Sequence, residues 1–183
     1  MKKGKQLSTL ELAVLGLVSQ QPRSGYDVRK VFIETALAHF SASPGAIYPA
    51  LRRLERAGLL SGEVERQGTL RPRRVYRLTA QGDRGLKRHL GRPVARDDIV
   101  WHMDELMLRF VFMDPLLGRA ATLEFLEEMA QELEAYLPEL EAQLAQQEQV
   151  GTACSRLAVQ QGLEGYRATA RWARRAIKAL SSG

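Results

Sequence analysis

The feature that most constrains this chain is a change of hydrophobic period close to Gly58. Before it, apolar residues recur at helical spacing in three successive stretches. After it they alternate through two short runs, and then the helical period returns. The first helix is expected to start at Ser8, because Ser8-Thr9-Leu10-Glu11 has the form of a capping box. Leu10, Val14, Leu17 and Val18 give its apolar positions, and Gln20-Gln21-Pro22 ends it. A second start falls at Ser24 with Asp27 three residues on, followed by Tyr26, Val28, Val31, Phe32, Ala36 and Leu37 as apolar positions and a break at Phe40-Ser41-Ala42. A third helix is predicted from Ser43-Pro44, since serine suits an N-cap and proline the first helical position. Ile47, Leu51 and Leu54 then form one buried stripe, and Gly58 terminates it.

Leu60, Gly62 and Val64 alternate with polar residues and read as a strand. Residues 67–72 form a loop. Residues 73–78 return as a second strand, with Tyr76 and Leu78 on one face and Val75 and Arg77 on the other. Thr79 caps a fourth helix to about Leu90, although Gly82 and Gly85 are poor helix formers. Gly91-Arg92-Pro93 is the expected boundary between a domain at 1–92 and another at 93–183. The second contains a helix at about 98–113, a fresh start at Asp114-Pro115, a long helix to about Gln149, an interruption at Gly151 and a last helix over about 155–180. The fold class is therefore mainly α with a small β-hairpin wing (α+β). It is a winged helix-turn-helix followed by a helical dimerisation region.

Composition narrows the functional classes. Hydrophobic residues make up 45%, enough for a packed core, and no apolar run reaches the roughly 18–20 residues that span a membrane. The basic, fairly apolar N-terminus is interrupted by Glu11 and lacks a small-residue cleavage site, so cytoplasmic localisation is expected. Cys154 is the only cysteine, which rules out an intrachain disulfide or a cysteine zinc site. The net charge of +6 is unevenly placed: residues 1–92 hold 18 Lys and Arg against 7 Asp and Glu, and residues 93–183 hold 9 against 14. A basic half beside an acidic half suits a polyanion partner for the first.

The order helix, helix, helix, hairpin, helix presents the third helix to a DNA major groove. With its apolar stripe inward, its outward positions are Ser43, Ala46, Tyr48, Pro49, Arg52, Arg53 and Arg56. Those near the helix N-terminus suit base edges, and the arginines suit phosphates or guanine. Arg71, Arg73 and Arg74 around the hairpin turn, and Lys2, Lys3 and Lys5 in an N-terminal arm, suit the flanking backbone.

The chain resembles the PadR family of bacterial transcriptional regulators. The likeness lies in residues 43–60, running from Ser43-Pro44-Gly45 through Arg52-Arg53-Leu54-Glu55-Arg56 to Gly58-Leu59-Leu60. It also lies in Gly25-Tyr26-Asp27, in Tyr76-Arg77-Leu78-Thr79-Ala80-Gln81-Gly82 and, more weakly, in Asp104-Glu105-Leu106-Met107-Leu108-Arg109-Phe110. The resemblance implies a homodimer that represses transcription, often with relief by a small molecule. It assigns the family's recognition-helix aromatic to Tyr48 and its basic wing to Arg71, Arg73 and Arg74. The wing tip departs from the family, with Thr69-Leu70-Arg71-Pro72-Arg73-Arg74 replacing a glycine-arginine-proline pattern.

In the second half, Leu123, Leu126, Ala130, Leu133, Leu137, Leu140 and Leu144 follow a 3-4 spacing, as do Leu163, Tyr166, Ala170, Ala173, Ile177 and Leu180. Packing of these seams between protomers is the favoured reading, and a helical hairpin within one chain is the alternative. Pro138 is expected to kink or restart the longer helix. Trp101, Met103, Met107, Phe110 and Trp172 are bulky enough to line an effector pocket, although core packing is the commoner role for such residues. An enzyme is not expected. His39, His89 and His102 lie in no nucleophile motif, and no phosphate-cradling glycine loop is present. Asp98, His102 and Glu105 have metal-like spacing but read as ordinary surface, so no metal or cofactor is expected. The expected partners are double-stranded DNA, a second copy of the chain and a small-molecule effector, with no membrane.

Overall fold

The computed structural model describes residues 7–35, 37, 44–66 and 72–182. These fall into two compact units: Met1–Leu90 with Met107–Phe112, and Gly91–Leu106 with Met113–Gly183. The expected start at Ser43 lies outside the described residues, as do the break at 40–42 and most of the 67–72 loop. No helix among the described residues is long and apolar enough to cross a membrane.

The first unit is built on α1 (Thr9–Gln20). Ser8 and Glu11 form the capping box: the Ser8 hydroxyl accepts from the Glu11 amide at 3.3 Å and the Glu11 carboxylate accepts from the Ser8 amide at 3.1 Å. Every residue from Glu11 to Val18 is buried, so α1 is the central post of the unit and not an amphipathic surface helix. β1 (Arg23–Ser24) leads into α2 (Gly25–Glu34), whose capping box joins Ser24 and Asp27. A 3₁₀ turn over Pro44–Ala46 precedes α3 (Ile47–Arg56), so the α-helix proper begins three residues beyond Pro44. Ile47, Ala50, Leu51 and Leu54 face inward. Gly58, at φ 72°, closes α3: its amide donates to the Glu55 carbonyl and the Leu59 amide to the Leu54 carbonyl, each at 2.9 Å.

β2 (Leu60–Glu65) and β3 (Arg73–Leu78) pair antiparallel with Gly62 opposite Tyr76, and β1 pairs along the other edge of β3. The sheet order β1-β3-β2 makes β3 central. Val75 and Tyr76, on opposite faces of β3, are both buried. Val64, near the end of its strand, is 60% exposed. The Thr79 hydroxyl donates to the Gly58 carbonyl at 2.7 Å and accepts from the Gly82 amide at 2.9 Å, so it caps α4 (Ala80–Leu90) and ties it to the end of α3. A Cβ on Gly82 would lie 2.1 Å from the Leu59 carbonyl oxygen, so close helix-to-turn packing explains a glycine inside α4. Arg109 is fully buried and donates through Nε and a terminal nitrogen to the Leu90 carbonyl, at 3.1 and 2.9 Å. A cation is favoured there because the C-terminal carbonyls of a helix have no partners within it.

The single helix expected at 98–113 is two, α5 (Arg96–Trp101) and α6 (Met103–Leu117), separated at His102 with φ −134° and ψ 32°. Asp114-Pro115 does not open a new helix. Pro115 sits in the last turn of α6, where its missing amide costs one bond, and the stop comes at Gly118 with φ 85°. α7 (Arg119–Val150) runs through Pro138 without a restart, and α8 (Ala153–Ser181) is capped by Thr152.

α7 and α8 form an antiparallel hairpin, with Arg174 on Glu134 at 2.5 Å and Arg167 on Glu141 at 2.6 Å. Leu126, Ala130, Leu133 and Leu140 are buried from α7, and Leu163, Ala170 and Ala173 from α8. Leu123, Leu137, Leu144, Tyr166, Ile177 and Leu180 are partly exposed along its flanks. Within the chain the two seams meet as a helical hairpin, the alternative reading of their spacing. The turn at Gly151 brings α8 back along α7 at little entropic cost, so each seam finds its partner in the same chain.

Elsewhere in the second unit, Arg92 bridges Asp98 at 2.5 Å and Glu105 at 3.0 Å, both carboxylates being buried. Arg96 stacks on the Tyr136 ring, 4.3 Å from its centroid, and pairs with Glu139. The Tyr166 hydroxyl donates to the Ile99 carbonyl at 3.4 Å.

Candidate nucleic-acid interface

The inward stripe of α3 leaves a polar outer face. Tyr48 is 44% exposed, Arg52 and Arg56 are exposed, and Ala46 and Pro49 are half-buried. Tyr48 is also held in place, because its ring lies across the start of α2. A Cβ on Gly25 would sit 2.5 Å from Tyr48 Cε1, so only glycine lets the ring lie there. Arg53 behaves differently from its neighbours. Its Nε donates at 2.9 Å to Glu11, a carboxylate only 6% exposed, so this arginine anchors α3 to α1. Burial alone would raise the Glu11 carboxyl. The Ser8 amide, the Arg53 guanidinium and the Ser8 hydroxyl outweigh it and hold the group below its usual value.

The wing arginines are exposed but each faces carboxylates. Arg73 lies 3.9 Å from Asp27 and 3.8 Å from Glu65, and Arg74 donates to Glu55 at 2.5 Å. Asp27 would be raised by burial, but the Ser24 amide and hydroxyl, Arg73 and Arg23 hold it below the ordinary value. The Arg73 pairs, long and exposed, contribute little to stability, so a phosphate can displace those carboxylates at small cost. Ser43, Arg71, Lys2, Lys3 and Lys5 lie outside the described residues.

Sequence reasoning missed several groups on this unit. Tyr26, read as an apolar position of α2, is 64% exposed. Spacing could have shown it, since a residue two before Val28 falls on the opposite side of a helix from Val28 and Phe32. Arg29 and Lys30 are exposed on α2 as well. Arg77 projects from β3 and pairs with Glu65 at 3.0 Å.

The other proposed site residues are divided between the two units. Trp101, 74% exposed, falls in the second unit with Met103 and Trp172, whereas Met107 and Phe110 fall in the first. A groove of about 460 Å³ near the turn of the hairpin is lined by other residues, among them Leu144, Ala153, Arg156, Leu157 and Leu163. Asp98 and Glu105 are not ordinary surface but the buried partners of Arg92, and Asp98 also accepts from the Ala95 amide at 3.0 Å. No group of three or more metal-ligating side chains occurs among the described residues.

Residues 14–88 match the family model of the transcriptional regulator PadR-like family. Residues 104–181 match that of the virulence activator alpha C-terminal region. The negative transcriptional regulator PadR of Bacillus subtilis strain 168 is 30% identical over 135 residues, 74% of this chain and 72% of that protein. The chain belongs to the PadR family. Among solved structures, Bacillus subtilis PadR in complex with operator DNA is 24% identical, with 93% of this chain and 98% of that one covered and a TM-score of 0.44. The same protein in complex with p-coumaric acid is 23% identical, with 94% and 96% covered and a TM-score of 0.41. PadR proteins are transcriptional regulators and not enzymes, and the winged helix of the first unit is their DNA-binding fold. In winged-helix terms α3 is the third helix and the β2–β3 hairpin the wing.

Proposed function

We propose that this PadR-family protein is a homodimeric repressor that reads a palindromic operator in the cytoplasm. One observation supports the reading above the rest: Tyr48, near the start of α3, is held over Gly25 with almost half its surface free, and Arg52 and Arg56 follow on the exposed face. Tyr48 and Ala46 then meet base edges, while Arg52, Arg56, Arg73 and the arm and wing-tip cations meet phosphates. Repression is supported by the name of the Bacillus subtilis relative, a negative regulator. Two recognition helices about 34 Å apart read successive major-groove faces, which is why a dimer suits the fold. The partly exposed flanks of the hairpin, with Leu137, Ile177 and Leu180, are the proposed dimer surface.

Selection of bound duplexes from a random pool tests this. The expected product is an inverted repeat whose half-sites are centred about one helical turn apart. Tyr48→Ala should then lose the selected duplex more than unselected DNA, and Arg73→Ala should weaken both alike. Enrichment of no sequence, or of an asymmetric site bound by a single chain, overturns the reading.

A further inference from the structure

We propose that Glu55 is a positioning residue for DNA binding: its carboxylate braces the wing against the recognition helix, and Arg74 serves that brace instead of a phosphate. The inference rests on the DNA-binding reading. Glu55 lies in the last turn of α3, one residue before Arg56. Its Oε1 accepts from two different strands of the wing. The Gly62 amide of β2 donates at 3.0 Å, and the Arg74 guanidinium of β3 donates at 2.5 Å. One oxygen therefore fixes the helix to both sides of the hairpin.

The surroundings fit a built junction. A Cβ on Gly62 would lie 2.6 Å from Glu55 Oε1 and 2.5 Å from Arg74 Nε, so the glycine makes room for the meeting of the two side chains. Gly62 stands opposite Tyr76 in the ladder, and the Arg74 guanidinium lies 6.0 Å from the Tyr76 ring centroid. Glu55 is also the more buried of the ion pair, its side chain 26% exposed against 47% for Arg74. The Glu55 hydrogen bond and charge strengthen the hold of Arg74 on its proton. A wing whose base is set by such a bond meets the flanking backbone at a set angle to α3, and small errors in that angle cost contacts at both ends.

Electrostatics and the brace predict opposite signs, which makes the proposal testable. Removing a negative charge beside a DNA-binding face ought to tighten binding. The brace predicts that Glu55→Ala weakens it about tenfold. Gly62→Ala, which alters no charge but displaces both side chains, is expected to weaken binding to a similar extent. Arg74→Ala is expected to lower affinity while leaving the slope of log affinity against log salt unchanged. The probe is the duplex enriched from a random pool by the unaltered protein, read by fluorescence anisotropy across salt, with circular dichroism showing each variant folded. Equal or tighter binding by Glu55→Ala and Gly62→Ala overturns the brace, as does a slope reduced by about one in Arg74→Ala, the signature of a lost phosphate contact. Amide exchange of Gly62 in the free protein decides the brace separately. Exchange at least tenfold faster in Glu55→Ala supports it and an unchanged rate overturns it, even if the unaltered protein retains no duplex and the DNA reading fails.

Discussion

Single atoms decide much of the recognition surface. Gly25 is the clearest case, since its missing Cβ is the space in which the Tyr48 ring lies. Gly25→Ala is expected to push that ring out of place and to cost about tenfold in affinity for the selected duplex, with the fold intact by circular dichroism. Undiminished affinity would show that Tyr48 does not need this seat. Glu11 shows how one residue serves two purposes. The sequence revealed its capping role through the Ser8 spacing, but its pairing with Arg53 spans 42 positions and leaves no local signature. Because the folded protein holds the Glu11 and Asp27 carboxyls below their ordinary values, their stabilising contribution is full above about pH 4.5 and is lost as pH falls through the lowered values. Urea denaturation between pH 6 and pH 3, taken on the order of one-unit steps, should show stability falling with acid. Glu11→Gln should cost about 1–2 kcal/mol at pH 7 and flatten part of that fall. A variant with the same acid profile as the parent sinks the assignment.

Among elements, what the sequence disclosed depended on whether a boundary has local chemistry. Ser8, Ser24, Thr79 and Gly58 mark their helix ends with side-chain or backbone bonds made within a few residues, and all four were legible. β1 was not. It is two residues long, carries no periodicity and exists only because β3 has an edge to offer. The same absence hid the burial of Val75 and Tyr76 together at the middle of β3. Asp114-Pro115 misled because that pair commonly opens a helix, whereas Pro115 sits in the last turn of α6 at the loss of one bond, and the real stop is the backbone of Gly118. That residue supports a paired prediction. Gly118 has φ 85° and ψ 170°, a region that side chains avoid, and a Cβ added there would meet nothing within 4 Å. Gly118→Ala should therefore cost about 1–3 kcal/mol through the backbone alone. Gly162, inside α8 and with the same open space around it, should gain about 0.5–1 kcal/mol on becoming alanine. Thermal melts of the two variants shift in opposite directions if both helix assignments are right, and in the same direction if either is wrong.

For the molecule as a whole, the division of charge was the part most readable from composition. Its local meaning needed coordinates, because Arg53, Arg73 and Arg74 are each engaged with a carboxylate before any partner arrives. The inward stripe of α3 followed from helix periodicity. The seams of the second half did not, since a 3-4 repeat states that a helix needs a partner without saying whose. With 18 cations against 7 anions in residues 1–92, affinity for duplex DNA should fall about a thousandfold or more between roughly 50 and 200 mM salt. A nearly flat salt dependence in the anisotropy titration would remove the polyanion from the argument. The central place of β3 has one more consequence. With both its sides already occupied, the longer open rim of the sheet is that of β2, which carries Glu63 and Glu65. The β2 rim of a second copy drawing up to it would bring carboxylate against carboxylate, which disfavours edge-to-edge pairing of two such sheets.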